Sequence, residues 1–217
     1  MKIGLLVDGR AEYYALPHLL PRLGSPHQLL APLVCDIQPF ASPALMAHVA
    51  SKQFPILLSK GVDSIVVLID KETRPDCTGE LVQVIEREMR TRLVVHSEEA
   101  GLSVVLKVSK FENWTASDPE ALRALSGMFE NVERIEKQVA PNRADAVDAL
   151  SLLKSCARKG YHKVDGGVAI CKQLDPVRAA ANSRSFRKLL KVLECPGVGS
   201  EGRSPGAARH SGRPRKR

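Results

Sequence analysis

SIVVLID, residues 64–70, is the stretch on which the fold turns. Within residues 64–69 the run from Ile65 is apolar without a break, mostly β-branched, and stops at Asp70. A strand with one wet face alternates; a run without alternation is buried on both faces, as strands of a parallel sheet are. KIGLLV (2–7) repeats the pattern and is closed by Asp8-Gly9. SVVLKVS (103–109) gives a further strand. QLLAPLVCDI (28–37) gives a weaker one near a sheet edge, because Pro32 cannot donate to a ladder. Between these runs the periodicity turns helical. Residues 11–22 put Leu16, Leu19 and Leu20 on one side, with Pro17 and Pro21 shortening or breaking the helix. Residues 43–60 read as helix up to Gly61, with a kink or restart at Pro55. Thr78 stands where it can cap a helix from Gly79 to about Arg90, with Leu81, Ile85 and Met89 inward. The order β-α-β-α-β-α-β predicts an α/β fold for residues 1–115, a mainly parallel sheet flanked by helices.

The chain then changes character. Ser117 and Glu120 have capping-box spacing before a helix through Leu125, and residues 143–159 read as helix stopped by Gly160. Residues 183–194 are two-faced: Phe186, Leu189, Leu190 and Leu193 against Arg184, Arg187, Lys188 and Lys191. Residues 116–195 are expected to form a helical part packed on the sheet, and 196–217, rich in Gly, Ser, Pro and Arg, a disordered basic tail.

Composition narrows the class. Of 217 residues, 44% are hydrophobic and 26% charged, which excludes a wholly disordered chain, a collagen and a disulfide miniprotein. Aromatics at 4% leave the core to Leu, Val, Ile and Ala. The net charge of +8 is largely a tail property: six bases and Glu201 give +5 within 196–217, leaving +3 for the rest. Five scattered cysteines without a CxxC pair point to reduced thiols. With no signal-peptide pattern at the start and no membrane-length apolar run, a cytoplasmic protein is expected.

The chemistry is expected at the strand ends. Neighbouring parallel strands end on one edge, where open α/β sheets bind ligands. Asp8, Asp70 and Glu72 would converge there, and clustered carboxylates call for a cation. Oxygen ligands alone suit Mg²⁺ or Mn²⁺, ions that stabilise charge in phosphoryl transfer. Gly9 would let backbone approach a phosphate and Arg10 would contact one. In KFENWTASD (110–118), Glu112 or Asp118 is a candidate further ligand or general base, Asp118 reading also as a helix start, and Lys110 is a phosphate contact, with Phe111 and Trp114 as hydrophobic anchors. Taken singly, each acid reads better as a loop start or helix cap; the two strand-end acids together, with an acid two residues beyond the second, bring the two readings level. No histidine pair has metal-ligand spacing, and no GxGxxG or Walker loop supports a plain nucleotide binder.

Asp8-Gly9 and Asp70-Lys71-Glu72 resemble the Toprim fold, the metal-binding domain of topoisomerases, primases and related nucleases. That family usually has Glu at the first position and Asp-x-Asp at the second; Asp8 and Glu72 depart from it. KIGLLVDGRAEYYALPHLLPRL, VDSIVVLIDKETRPDCTGEL, KFENWTASDPEAL and ANSRSFRKLLKVL together resemble the Toprim-like bacterial family called domain of unknown function 4276. The resemblance implies a Toprim-like core with an added helical part, and a setting near antiphage defence systems with an ATPase partner. The leading expectation is a Mg-dependent nuclease acting on DNA or RNA through Asp8, Asp70 and Glu72. The alternative is a non-catalytic sensor or regulatory subunit that docks on an ATPase.

Overall fold

The computed structural model describes residues 1–196. Its centre is a parallel sheet of β1 (Lys2–Val7), β2 (Gln28–Leu29), β3 (Leu33–Val34), β4 (Ser64–Asp70) and β5 (Gly101–Lys107). Both β2 and β3 pair with one side of β1, and the order runs on through β4 to β5, every pair parallel. The α/β class expected from the apolar runs is what the chain adopts. Pro32 splits the weak strand into two two-residue pieces, since it brings no N–H to the ladder. The run assigned to 103–109 pairs two residues earlier, over 101–107; Ser109, at φ 70°, has left the extended region.

Helices cover both faces. α1 (Arg10–Leu19) contains Pro17 and gives way to a 3-10 turn at Leu20–Arg22. α2 (Pro43–Ser51) is capped by Ser42, and Pro55 opens α3 (Phe54–Ser59), as a proline in a first turn should. α4 (Thr78–Leu93) is longer than expected, and Thr78 lies inside it; exposed Cys77 takes the N-cap position. The helical part comprises α5 (Phe111–Thr115), α6 (Pro119–Arg123), α7 (Val132–Val139), α8 (Ala149–Cys156), α9 (Lys163–Gln173), α10 (Pro176–Asn182) and α11 (Arg184–Val192). The capping box expected at Ser117 is absent. Asp118 stands at the N-cap of α6 with its carboxylate turned to Arg178, and the Ser117 hydroxyl donates to the Trp114 carbonyl at 2.5 Å. The single helix expected over 143–159 is a 3-10 turn at Ala144–Ala146 followed by α8, whose start is fixed by Asp148 accepting from the Ser151 N–H.

Side-chain alternation sorts the sheet into two cores. Leu5, Val7, Val66, Leu68 and Val105 face α1 and the C-terminal helices in one cluster that runs through to Leu193. Leu6, Ile65, Val67, Ile69 and Val104 face α2, α3 and α4 in the other. The helical part is therefore one layer of a three-layer molecule and shares its core with residues 1–115. α9 packs on α1, where Gly167 faces Ala15 as well as Phe111, and a β-carbon on Gly166 would collide with the Tyr161 ring. Among the described residues no helix is long and apolar enough to cross a membrane. The tail expectation for 196–217 lies, Pro196 apart, outside the described residues.

Candidate functional site

The carboxyl ends of β1, β4 and β5 lie side by side, with Val7 in register with Leu68 and Asp70 with Lys107. Register alone thus brings Asp8, Asp70 and Lys107 to one rim. Lys107 is fully buried, the last residue of β5, directly after the apolar run 104–106. A buried ammonium is tolerated only where anions surround it. Its Nζ lies 2.6 Å from Asp8 Oδ1 and 3.0 Å from Asp70 Oδ1, and it also donates to Glu12 Oε1. Asp8 Oδ2 accepts the Asp70 backbone N–H at 2.5 Å, tying the first strand end to the second.

Glu12 arrives from the first turn of α1 and is 3% exposed. It lies on the same inward stripe as Ala15, Leu16 and Leu19. Gly9 makes room for it: a β-carbon there would sit 2.6 Å from Glu12 Oε2. The space beside Gly9, expected to admit a phosphate, is filled by the chain's own carboxylate.

One oxygen from each of Asp8, Glu12 and Asp70 lies within 4.8 Å of the other two. With the carboxylates ionised, three negative charges face one ammonium. The ammonium stands 3.0 Å from Asp70 Oδ1 as an ion pair, but that oxygen is buried without a hydrogen bond of good geometry. Burial, with Asp8 and Glu12 adding to it against the pull of Lys107, pushes the Asp70 carboxyl up to about 7. Burial by itself would lower Lys107, but attraction to Asp70, Asp8 and Glu12 outweighs it and holds the ammonium well above its ordinary value.

The other candidates stand around this centre. A cleft of about 340 Å³ opens over it, lined by Asp8, Gly9, Arg10, Glu12, Asp70, Glu72 and Glu112 among others. Glu72 shares the cleft but not the cluster: its Oε1 faces Lys110 Nζ at 3.8 Å. Glu12 occupies the third place that the Asp70-x-Glu72 spacing had given to Glu72. Glu72 also holds a left-handed backbone at φ 49°, and its N–H donates to the carbonyl of left-handed Ser109. Glu112 is buried on α5 and faces Lys163 at 3.4 Å. Lys110 is half-buried at the N-cap of α5, and Arg10 is exposed with no ion pair among the described residues. Phe111 and Trp114 are buried as expected of anchors; Trp114 stacks edge-on with Phe186 and donates to Ser185 Oγ.

The sequence model of one family, described as Domain of unknown function (DUF4276), matches residues 7–194. The chain belongs to the DUF4276 family. Neither a curated protein nor a solved structure matches it. The matched span opens one residue before Asp8, so this DUF4276 chain carries its whole cluster inside the family region.

Sequence reading missed Glu12 and Lys107 as site residues, though both had a signal. An acid on the apolar stripe of α1, and a lysine within an apolar strand, are each costly to bury alone; together they predict each other.

Proposed function

We propose that Asp8, Glu12 and Asp70 hold a divalent cation, Mg²⁺ or Mn²⁺, and that the cleft above them hydrolyses phosphodiester bonds in nucleic acid. The observation that carries this reading is the charge count. Three carboxylates against Lys107 leave two negative charges, which one divalent ion balances, and Asp70 Oδ1 is a buried oxygen with no donor. The donor set is all oxygen, the kind that hard cations take. Such an ion supplies an activated water and neutralises phosphate charge. The chain's own groups divide the remaining work. Lys107 fixes the three carboxylates and keeps one positive charge under the site. Arg10 is the exposed cation at the cleft wall that contacts a phosphate oxygen. Glu72, outside the cluster and within the same cleft, is placed to take a proton from water, while Glu112, also in the cleft, faces Lys163. The left-handed backbone at Glu72 and Ser109 agrees with a functional role, since such conformations cluster at active sites. The Toprim resemblance of Asp8-Gly9 and Asp70-Lys71-Glu72 points the same way, and an ATPase partner belongs to that reading. The five cysteines are free, in keeping with a cytoplasmic setting.

Lys107 itself favours a second reading. Its ammonium already touches all three carboxylates, as in a non-catalytic regulatory subunit that keeps the cluster only to lock four elements together. One experiment separates the two. An ion at about ten times its Kd adds about 1.4 kcal/mol to stability. Melting of the purified protein should rise with Mg²⁺ or Mn²⁺, and DNA, RNA and tRNA substrates should be screened in the same buffers. Cleavage that disappears in Asp8→Ala supports the nuclease. No melting response and no cleavage, alone or with an ATPase partner, leaves the regulatory reading.

A further inference from the structure

A second site lies at the far edge of the sheet, independent of the acidic cluster. β5 is the last strand, and alternate residues of a parallel strand address the same neighbour. The Lys107 carbonyl accepts from the Lys71 N–H and the Ser109 carbonyl from the Glu72 N–H, so odd-numbered residues turn toward β4. Even-numbered residues turn outward, and the first of these are covered. Arg90 donates to the carbonyls of Ala100 and Leu102, and Glu86 accepts the Val104 N–H at 2.7 Å. This is how a protein blunts an exposed edge. The cover stops there. Beyond Val104 N–H, no hydrogen bond from the described residues reaches the Val104 carbonyl, the Leu106 N–H and carbonyl, or the Val108 N–H.

That stretch of edge without hydrogen-bond partners lies at the base of a cleft of about 650 Å³ running between α4 and α11. Val82 and Val108, both half-buried, give it apolar surface, Val104 and Leu106 are buried at its base, Glu86 is held by the Val104 N–H, and α11 forms a cationic wall. Arg187 is engaged with the Ala180 carbonyl and Asn142 Oδ1. Arg184, Lys188 and Lys191 are exposed and have no carboxylate partner among the described residues. They recur at i, i+4 and i+7, along about 10 Å of helix.

We propose that this groove binds an extended, acidic segment of a partner protein, which adds a strand to the free half of β5. The backbone of the segment would pair with Leu106 and Val108, apolar side chains would rest on Val82 and Val108, and carboxylates would face α11. Charge selects the occupant. A second copy would set two cationic walls against each other, and the segment 197–217 of this chain is itself basic. Among the described residues the lining holds no aromatic ring on which bases would stack, which disfavours single-stranded nucleic acid.

The test uses the full chain and a fluorescent peptide of alternating Glu and Val, read by anisotropy and by amide hydrogen exchange. The expected result is saturable binding that slows exchange at Leu106 and Val108 and leaves Val104 unchanged. A peptide N-methylated at alternate residues keeps the charge and should lose the binding. Arg184→Glu with Lys188→Glu, both on the exposed face, should weaken it by about tenfold or more while melting stays unchanged. Val108→Pro, which removes one outward donor, should also weaken it. Equal binding of the N-methylated peptide overturns the proposal, as does absence of binding or protection. A single-stranded oligonucleotide that binds here in place of the peptide, with the same charge sensitivity, overturns it in favour of a nucleic-acid surface.

Discussion

Two buried carboxylate networks hold this protein together, and they are built on opposite accounts of charge. In the helical layer, Asp118 is fully buried and meets one cation. Its oxygens accept from the Asp175 N–H at 2.8 Å and from Arg178 Nε and Nη2 at 2.8 and 2.9 Å. Every lone pair that matters has a donor, and the charges cancel. At the sheet rim, Asp8, Glu12 and Asp70 crowd one ammonium, and an Asp70 oxygen is left without a donor. Joining α6 to α10 needs only the first arrangement. The second is poorer as a joint, since surplus buried charge costs stability. Its imbalance is the reason to assign it chemistry.

The comparison can be broken at each network. The largest effect is expected from Lys107→Met, which removes the buried cation held among the three acids and should cost about 3–5 kcal/mol in urea unfolding. A loss below about 1 kcal/mol would mean the carboxylates are not held ionised around it. Asp118→Ala comes next, at about 1–3 kcal/mol. The stranded Arg178 side chain is half-exposed and can turn to water, so the cost is smaller, and the response to divalent ions should stay intact.

Asp70→Asn gives the smallest shift and sharpens the contrast most. The Asp70 carboxyl, near 3.8 in an unfolded chain, stands at about 7 in the folded one. Between those values the folded protein keeps a proton that the unfolded chain sheds, so stability should fall as pH rises from about 4 to about 7 and then level off. In Asp70→Asn that slope should vanish, and at pH 8 the protein should be more stable by about 1–2 kcal/mol while its divalent-ion response is lost. Melting curves across pH, with and without Mg²⁺, read both. A variant that loses stability and keeps the ion response would reverse the assignment of the two networks.

The sheet was legible because burial on both faces leaves an unmistakable run, as in residues 64–69. The rim acids Asp8 and Asp70 were legible for the same reason: they end such runs. The helical layer was not. Val132–Val139 has only Val132, Ile135 and Val139 to announce it, and Lys163–Gln173 carries Gly166 and Gly167, which read as breakers. Those glycines are there for the close approach of Tyr161, Phe111 and Ala15, a need set by tertiary packing. Glu12 and Lys107 escaped because a single-residue reading treats a charge as solvated; only the register of Asp70 with Lys107 shows that neither has water to go to.

The N-cap of α4 has a practical corollary. Cys77 is exposed, while Cys35, Cys156, Cys171 and Cys195 are buried. Next to it, Thr78 and Gly79 line the mouth of the β5 groove. A maleimide dye or nitroxide should therefore couple at that one place on the folded, wild-type chain, giving a spectroscopic sentinel at the groove entrance without any engineering.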